Sequence, residues 1–291
     1  MKILVTGAYG FFGTNLTKYL YENLSVSSMI YRMSGKNGID LKNEEQVKSF
    51  INDYQPDIIV HLAANPRGNA DISAMDDNCK STLNLVHYAP QGCHFIFASS
   101  IVVYGDYNHF KFLEDMTPKP TSLYALSKLN AENIINRYAR IGKIKKTNLR
   151  FCALVGGLNM SHGFVYDLTK KLEADSSELE LIGTSPGSRK PFLHIDDACN
   201  VINFAIENRL DGTYNVCPQD NISVEEVAKI GMNILNKKKN IKWRPDQVWV
   251  GDNQEIAGGN CKIYSQGFEF KYKTSRAAIE AYFNELSKQN I

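Results

Sequence analysis

Tyr124 and Lys128, four positions apart in "YALSK", carry the first chemistry legible in this 291-residue chain. The stretch 122–140 predicts a helix, and at that spacing both side chains leave one face of it. A phenol with a pKa of about 10 is a poor proton acceptor near neutrality. An ammonium beside it favours the phenolate and lowers that value, so the pair suits proton exchange with a hydroxyl whose carbon gains or loses a hydride. A second hydroxyl at the end of a neighbouring strand would orient the reacting oxygen. Ser99 and Ser100 stand at such a place, closing the apolar run "HFIFASS".

A hydride needs a carrier, and "TGAYGFFG" (6–13) is the matching signal. It joins the apolar run "KILVT" to a helical pattern, the context in which spaced glycines hold a dinucleotide. Gly7 permits the sharp turn off the strand, and Gly10 lets the backbone approach a pyrophosphate. Gly13 lets the helix pack close to the sheet, and the helix N-terminus favours the anion. Tyr9, Phe11 and Phe12 fill the loop between them. An NAD site places an acid at the end of the second strand for the ribose 2′-hydroxyl. Here that place reads "MIYRMSGK", without an acid. Arg32, helped by Ser34 or Lys36, is placed to meet a 2′-phosphate instead, so NADP(H) is expected, with NAD(H) as the alternative.

These groups must be positioned by alternating strands and helices. Strands are predicted at 2–6, 27–31, 57–64, 94–100 and 147–155, and helices at 13–24, 43–54, 76–88 and 122–140. Asn43 caps the second helix, with two acids in its first turn. "DIIVHLAA" is continuously apolar, as in a strand covered on both faces. The rhythm predicts an α/β fold, a Rossmann-type doubly wound parallel sheet. Residues 1–155, rejoined by roughly 192–217, are expected to form the dinucleotide-binding domain. Residues 156–191 and 218–291, with helices at 161–175 and 222–236, are expected to form a smaller substrate-binding lobe that makes a cleft with it.

Composition excludes other classes. Hydrophobic content of 43%, charged content of 22% and a net charge of +2 describe an ordinary globular chain with no electrostatic call for nucleic acid or membrane. The basic run "NKKKN" (236–240) reads as a solvated helix end. Six scattered cysteines without a C-x-x-C pair argue against a zinc site or disulfide framework and for reduced thiols in the cytoplasm. No apolar run approaches the roughly 20 residues of a membrane helix, and "MKILVTG" reads as a strand rather than a signal peptide.

The glycine spacing with "SSIVVYGD" (99–106) and "YALSK" resembles the extended short-chain dehydrogenase/reductase family, whose members act on nucleotide sugars. The likeness is strong to residue 130, fair to about 235 and thin beyond. It implies catalysis by Ser100, Tyr124 and Lys128, with Ser99, Tyr124 and Lys128 also against the cofactor. It implies further cofactor contacts from Asp40 and Leu41 in "GIDL", from Leu62, Ala63 and Ala64 in "HLAA", and from Asn78, taken as the start of the next helix. On the substrate side it implies Arg189 and Arg244 near the diphosphate and His162 near the sugar, although a capping or packing role for His162 stays open. Asp196 and Asp197 read as caps of a helix at 198–207. Ala153 replaces the asparagine of the family pattern. A homodimer through the helices at 78–88 and 122–140 is the family's habit.

Three reactions share this machinery: 4-epimerisation, 4,6-dehydration and reduction of a 4-keto sugar. Dehydratases carry an Asp-Glu pair where this chain has Ile101 and Val102, which disfavours dehydration. The absent second-strand acid resembles the NADPH-dependent 4-keto-sugar reductases, whereas "SSIVVYGD" and the segment around His162 resemble the NAD-dependent epimerases. A non-catalytic dinucleotide sensor is a third class, against which the presence of both Tyr124 and Lys128 counts.

Overall fold

Five of the chain's apolar runs lie side by side as parallel strands in a computed structural model, which describes residues 1–24, 28–33, 38–65, 72–105, 111–157, 159–247, 255–259 and 261–289. Ser34 and Lys36 lie outside the described residues. Contacts divide the chain into two compact units. One comprises Met1–Asp106, Glu114–Phe151 and Cys199–Asn215; the other comprises Tyr107–Leu113, Cys152–Ala198 and Val216–Ile291.

The first unit is built on β1 (Lys2–Thr6), β2 (Met29–Met33), β3 (Ile58–His61), β4 (Cys93–Ser100) and the strands Ile144–Phe151 and Gly212–Val216. The sheet order runs from Gly212–Val216 through Ile144–Phe151, β4, β3 and β1 to β2. Thr6 pairs with Met33 on one side and His61 on the other, and Ser100 pairs with Phe151, so the carboxyl ends of the strands align. β1 has its successor β2 on one flank and β3 on the opposite flank. The chain therefore reverses its direction of travel there, and the crevice outside the strand ends at such a point is where open α/β sheets take ligands.

Helices α1 (Phe11–Asn23), α2 (Glu44–Tyr54), α3 (Ser73–Tyr88) and α4 (Leu123–Arg140) cover the sheet. Their apolar spacing explains the burial: Leu16 and Leu20 of α1, Val47 and Ile51 of α2, and Ile135 of α4 are fully enclosed. Asn43 Oδ1 accepts the Gln46 N–H at the head of α2, and Ser122 Oγ accepts the Ala125 N–H at the head of α4. Every residue of β3 is buried, as its unbroken apolar run requires.

In the second unit Ala153–Val155 pairs in parallel with Phe192–His194, and Glu178–Ile182 pairs in parallel with Asn240–Arg244. Helices Phe164–Glu173, Val224–Ile234 and Ser275–Ser287 accompany them, the second opened by a capping box of Ser223 and Glu226.

Three expectations need correction. The strand foreseen at 57–64 ends at His61, because Leu62 and Ala63 turn beneath the glycine loop. The strand foreseen at 147–155 is two, Ile144–Phe151 in the large sheet and Ala153–Val155 paired with Phe192–His194. Asp196 and Asp197 lie inside a helix that already starts at Ile195, so they do not cap one beginning at 198. Asp197 instead accepts the backbone N–H groups of Lys271 and Tyr272 at 2.7 and 2.9 Å.

Candidate active site

The glycine loop is packed as tightly as its spacing implied. Gly7 has φ +67°, and a Cβ there would sit 2.7 Å from Ala63 N. A Cβ on Gly13 would meet Gly7 O at 2.2 Å and Ala8 Cα at 2.5 Å, so the first turn of α1 lies directly on the loop. Gly10 caps that helix and donates its N–H to Gly7 O at 3.0 Å. Phe11 and Phe12 form the first turn, and the Phe12 ring meets Phe151 edge-on at 5.3 Å.

Arg32, near the end of β2, reaches back to this loop. Its guanidinium lies 4.2 Å from the centre of the Tyr9 ring and donates to Ala8 O at 3.2 Å. Asp40 is exposed and accepts the Lys42 N–H, while Leu41 belongs to the apolar core below.

Leu62, Ala63 and Ala64 follow β3, with Ala63 N–H donating to Thr6 Oγ1 at 3.3 Å. Asn78 does not start a helix, as the family pattern suggested, but lies within α3 and is 5% exposed. Its Oδ1 accepts the Asn65 N–H at 2.7 Å, and its Nδ2 donates to Asn65 O at 3.2 Å and to Ser127 Oγ at 3.0 Å. Asn78 thus ties the segment after β3 to the turn of α4 that holds Tyr124 and Lys128.

On α4 the Lys128 Nζ lies 5.7 Å from the centre of the Tyr124 ring and donates to Ala98 O at 2.8 Å, one strand away. The anticipated lowering of the phenol by the ammonium does not dominate. Burial pushes Tyr124 up to about 12, and burial, opposed by the Glu132 carboxylate, brings Lys128 down to about 8. Ser100 ends β4 and heads one turn of 3-10 helix, Ile101–Tyr104; its Oγ donates to Phe151 O at 3.3 Å. Ser99 points elsewhere, donating to Glu132 Oε1 at 2.5 Å.

The remaining residues stand in the second unit, Arg189 and Arg244 on separate strands and His162 in the segment before a helix. Arg189 is half-buried, with Nε on Asn221 Oδ1 at 3.0 Å and Nη1 on Glu226 at 3.1 Å. Arg244 pairs with Glu180 on the neighbouring strand. His162 is exposed one residue before Gly163, the N-cap of Phe164–Glu173, and gives that helix no side-chain cap.

The sequence reading missed Glu132 and Arg150, both nearly fully buried beneath Ser99 and Ser100. Their signal was an acid four residues after Lys128 on a predicted helix and an arginine inside the apolar "NLRF".

The model of the "NAD dependent epimerase/dehydratase family" matches residues 3–217 of the chain. The chain belongs to that family. Along its full length it is 28% identical to GDP-6-deoxy-D-talose 4-dehydrogenase of Aggregatibacter actinomycetemcomitans, covering 100% of each. Its fold matches a Thermus thermophilus UDP-glucose 4-epimerase in complex with NAD (TM-score 0.81, 19% identity, 98% of each chain covered). It equally matches RMD from Pseudomonas aeruginosa complexed with NADPH (TM-score 0.84, 20% identity, 99% of each chain covered). The protein is therefore an enzyme of the extended short-chain dehydrogenase/reductase type. Among the described residues no helix is long and apolar enough to cross a membrane.

Proposed function

We propose that this enzyme reduces a 4-keto nucleoside-diphosphate sugar at C4 with hydride from NADPH. The observation that carries the reading is Arg32. It occupies the end of β2 where a ribose-binding acid would stand, and it is held against Tyr9 of the glycine loop, 4.2 Å from the ring centre. A guanidinium so placed suits a 2′-phosphate and offers nothing to two ribose hydroxyls that a carboxylate would offer better. The full-length relative acting at position 4 of a GDP-deoxysugar supports the choice of carbon.

When bound, NADPH would supply the hydride. The glycine loop and the first turn of α1 would hold its pyrophosphate, and Arg32 its 2′-phosphate. Tyr124 gives its phenolic proton to the sugar oxygen as the carbonyl becomes an alcohol. Burial favours the neutral phenol, so Tyr124 carries the proton that this task needs at neutral pH. Lys128 stabilises the phenolate that results and holds the nicotinamide ribose, and Ser100 hydrogen-bonds the reacting oxygen. Arg189 and Arg244 would meet the diphosphate, Arg189 by exchanging its present partners Asn221 and Glu226.

The second reading is an NAD-dependent 4-epimerase, favoured by "SSIVVYGD" and the segment around His162. Purified enzyme is to be tested for bound dinucleotide, then offered NADPH or NADH with 4-keto sugars carried on different nucleotides. Oxidation of NADPH in strict dependence on the keto sugar is the expected result. Tightly bound NAD with interconversion of 4-epimers and no net cofactor change would establish the epimerase instead.

A further inference from the structure

Beneath the proposed catalytic groups lies a chain of buried polar side chains that no step above uses. Glu132, on α4 one turn after Lys128, takes Ser99 Oγ and Arg150 Nε on Oε1, the latter at 2.9 Å, and Arg150 Nη2 on Oε2 at 2.7 Å. Arg150 Nη1 donates to Tyr104 OH at 2.7 Å, and that hydroxyl donates to Asn215 Oδ1 at 2.8 Å. Asn215 completes the line by donating its backbone N–H to Glu114 Oε1 at 2.8 Å. Ser99, Glu132, Arg150, Tyr104 and Asn215 are each at most 5% exposed.

A buried ion pair is a poor source of stability, since desolvation offsets most of the attraction. Its placement is more telling. Ser99 and Tyr104 bracket Ser100 and the 3-10 turn that follows it, and both ends of that segment are tied to the one guanidinium–carboxylate pair. The same carboxylate lies one helical turn from Lys128, whose side chain is 4% exposed among Phe97, Ala98 and Tyr124.

We propose that the Glu132–Arg150 pair is the positioning element of the active site, fixing the Ser100 segment from below and holding the Glu132 carboxylate one helical turn from the buried Lys128. The proposal rests on the catalytic roles given above to Ser100 and Lys128. Burial alone drives Lys128 toward neutrality, and Glu132 is the group that opposes it. Among the described residues the other titratable groups facing Lys128 are Tyr124 on its own helix and His61 on β3, which burial and Lys128 hold neutral with a pKa of about 3; Arg150 approaches from the strand Ile144–Phe151 through Glu132.

The test uses the whole protein labelled with 13C at lysine Cε, with Lys128→Arg identifying the Lys128 resonance. In the wild type that resonance is expected to titrate near about 8. In Glu132→Gln its midpoint is expected about one unit or more lower. This arm needs no turnover, so it decides the field whether or not the reductase reading holds. In whichever C4 reaction the wild type performs, Glu132→Gln is expected to lower kcat about 100-fold, the scale of a 1 Å misplacement of a reacting group. The KM for dinucleotide should stay within about threefold, as for a group acting in the transition state. Because a lone buried guanidinium can unfold the single variant, Glu132→Met with Arg150→Met removes both charges and is expected to fold yet share the kcat loss. An unmoved Lys128 midpoint in Glu132→Gln, or wild-type kcat in the folded double variant, would overturn the proposal.

Discussion

Replacing Gly13 and Gly10 by alanine, one at a time, separates two jobs within the same loop. At Gly13 the new methyl would stand 2.2 Å from Gly7 O, against an ordinary contact of 3.4 Å or more, so an overlap of more than an ångström must be relieved. Both neighbours are backbone, and Gly7 is itself closely packed, since a Cβ built on it would lie 2.7 Å from Ala63 N. Overpacking of this kind costs about 3 kcal/mol, from which the better helix propensity of alanine returns about 1. For a chain of 291 residues the net loss of about 2 kcal/mol corresponds to a fall of roughly 3 °C in Tm. Gly10 is different: its φ of −78° suits alanine, and a methyl would meet only Gly7 O at 3.3 Å. Gly10→Ala should therefore melt within about 1 °C of wild type. Its dinucleotide affinity should still fall at least about tenfold, because the methyl stands where the pyrophosphate approaches the helix. Thermal melts with NADPH titrations by fluorescence read both quantities. Unchanged Tm in Gly13→Ala, or undiminished NADPH binding in Gly10→Ala, would refute the division of labour.

Tyr124→Phe should abolish turnover while leaving NADPH affinity within about threefold of wild type, since it removes the proton donor and little of the dinucleotide contact. Stopped assays with parallel binding isotherms check this, and a fully active variant would remove Tyr124 from the chemistry. Arg32→Glu should weaken NADPH binding by at least about 100-fold and affect NADH far less, the loss of a charge-assisted phosphate contact plus repulsion. Equal effects on the two dinucleotides would refute the 2′-phosphate assignment. His61 is buried between Thr6 and Thr82 with its pKa lowered by burial to about 3, so the unfolded chain binds a proton below about 6.5 that the folded chain refuses. Stability is therefore lost as pH falls from about 6.5 towards 3, by about 2 kcal/mol for this residue between pH 7 and 5. Urea melts at those two pH values should show that difference shrink in His61→Gln, and an unchanged difference would contradict the burial argument.

What could be read in advance follows from which signals are local. The turn from β1 into α1 was legible because three glycines between an apolar strand and an amphipathic helix leave few alternatives. Five strands of the large sheet were implied by their apolar runs, though Gly212–Val216 was not foreseen among them, and the Asn43 cap was implied by its two following acids. The end of β3 was not legible. Leu62 and Ala63 are as apolar as the strand before them, but the ladder ends where β1 ends at Thr6, and the two residues pack against Gly7 instead. Likewise the change of partner between Phe151 and Ala153 depends on residues some forty positions later, at Phe192–His194. The spacing of Tyr124 and Lys128 was plain, but the rise of the phenol's pKa was not, because burial is a property of the packed unit. Glu132 and Arg150 escaped for the same reason: a buried pair joined across helix and strand has no one-dimensional spacing.

In the proposed reduction, hydride passes from NADPH to C4 of a keto sugar and stays there. Turnover of a 4-keto nucleotide sugar with NADPH deuterated in the transferred position, followed by mass spectrometry and NMR of the product, tests it directly. One deuterium at C4 of the released sugar is expected for each NADP+ formed. Epimerised sugar without deuterium and with the labelled NADPH intact would contradict it.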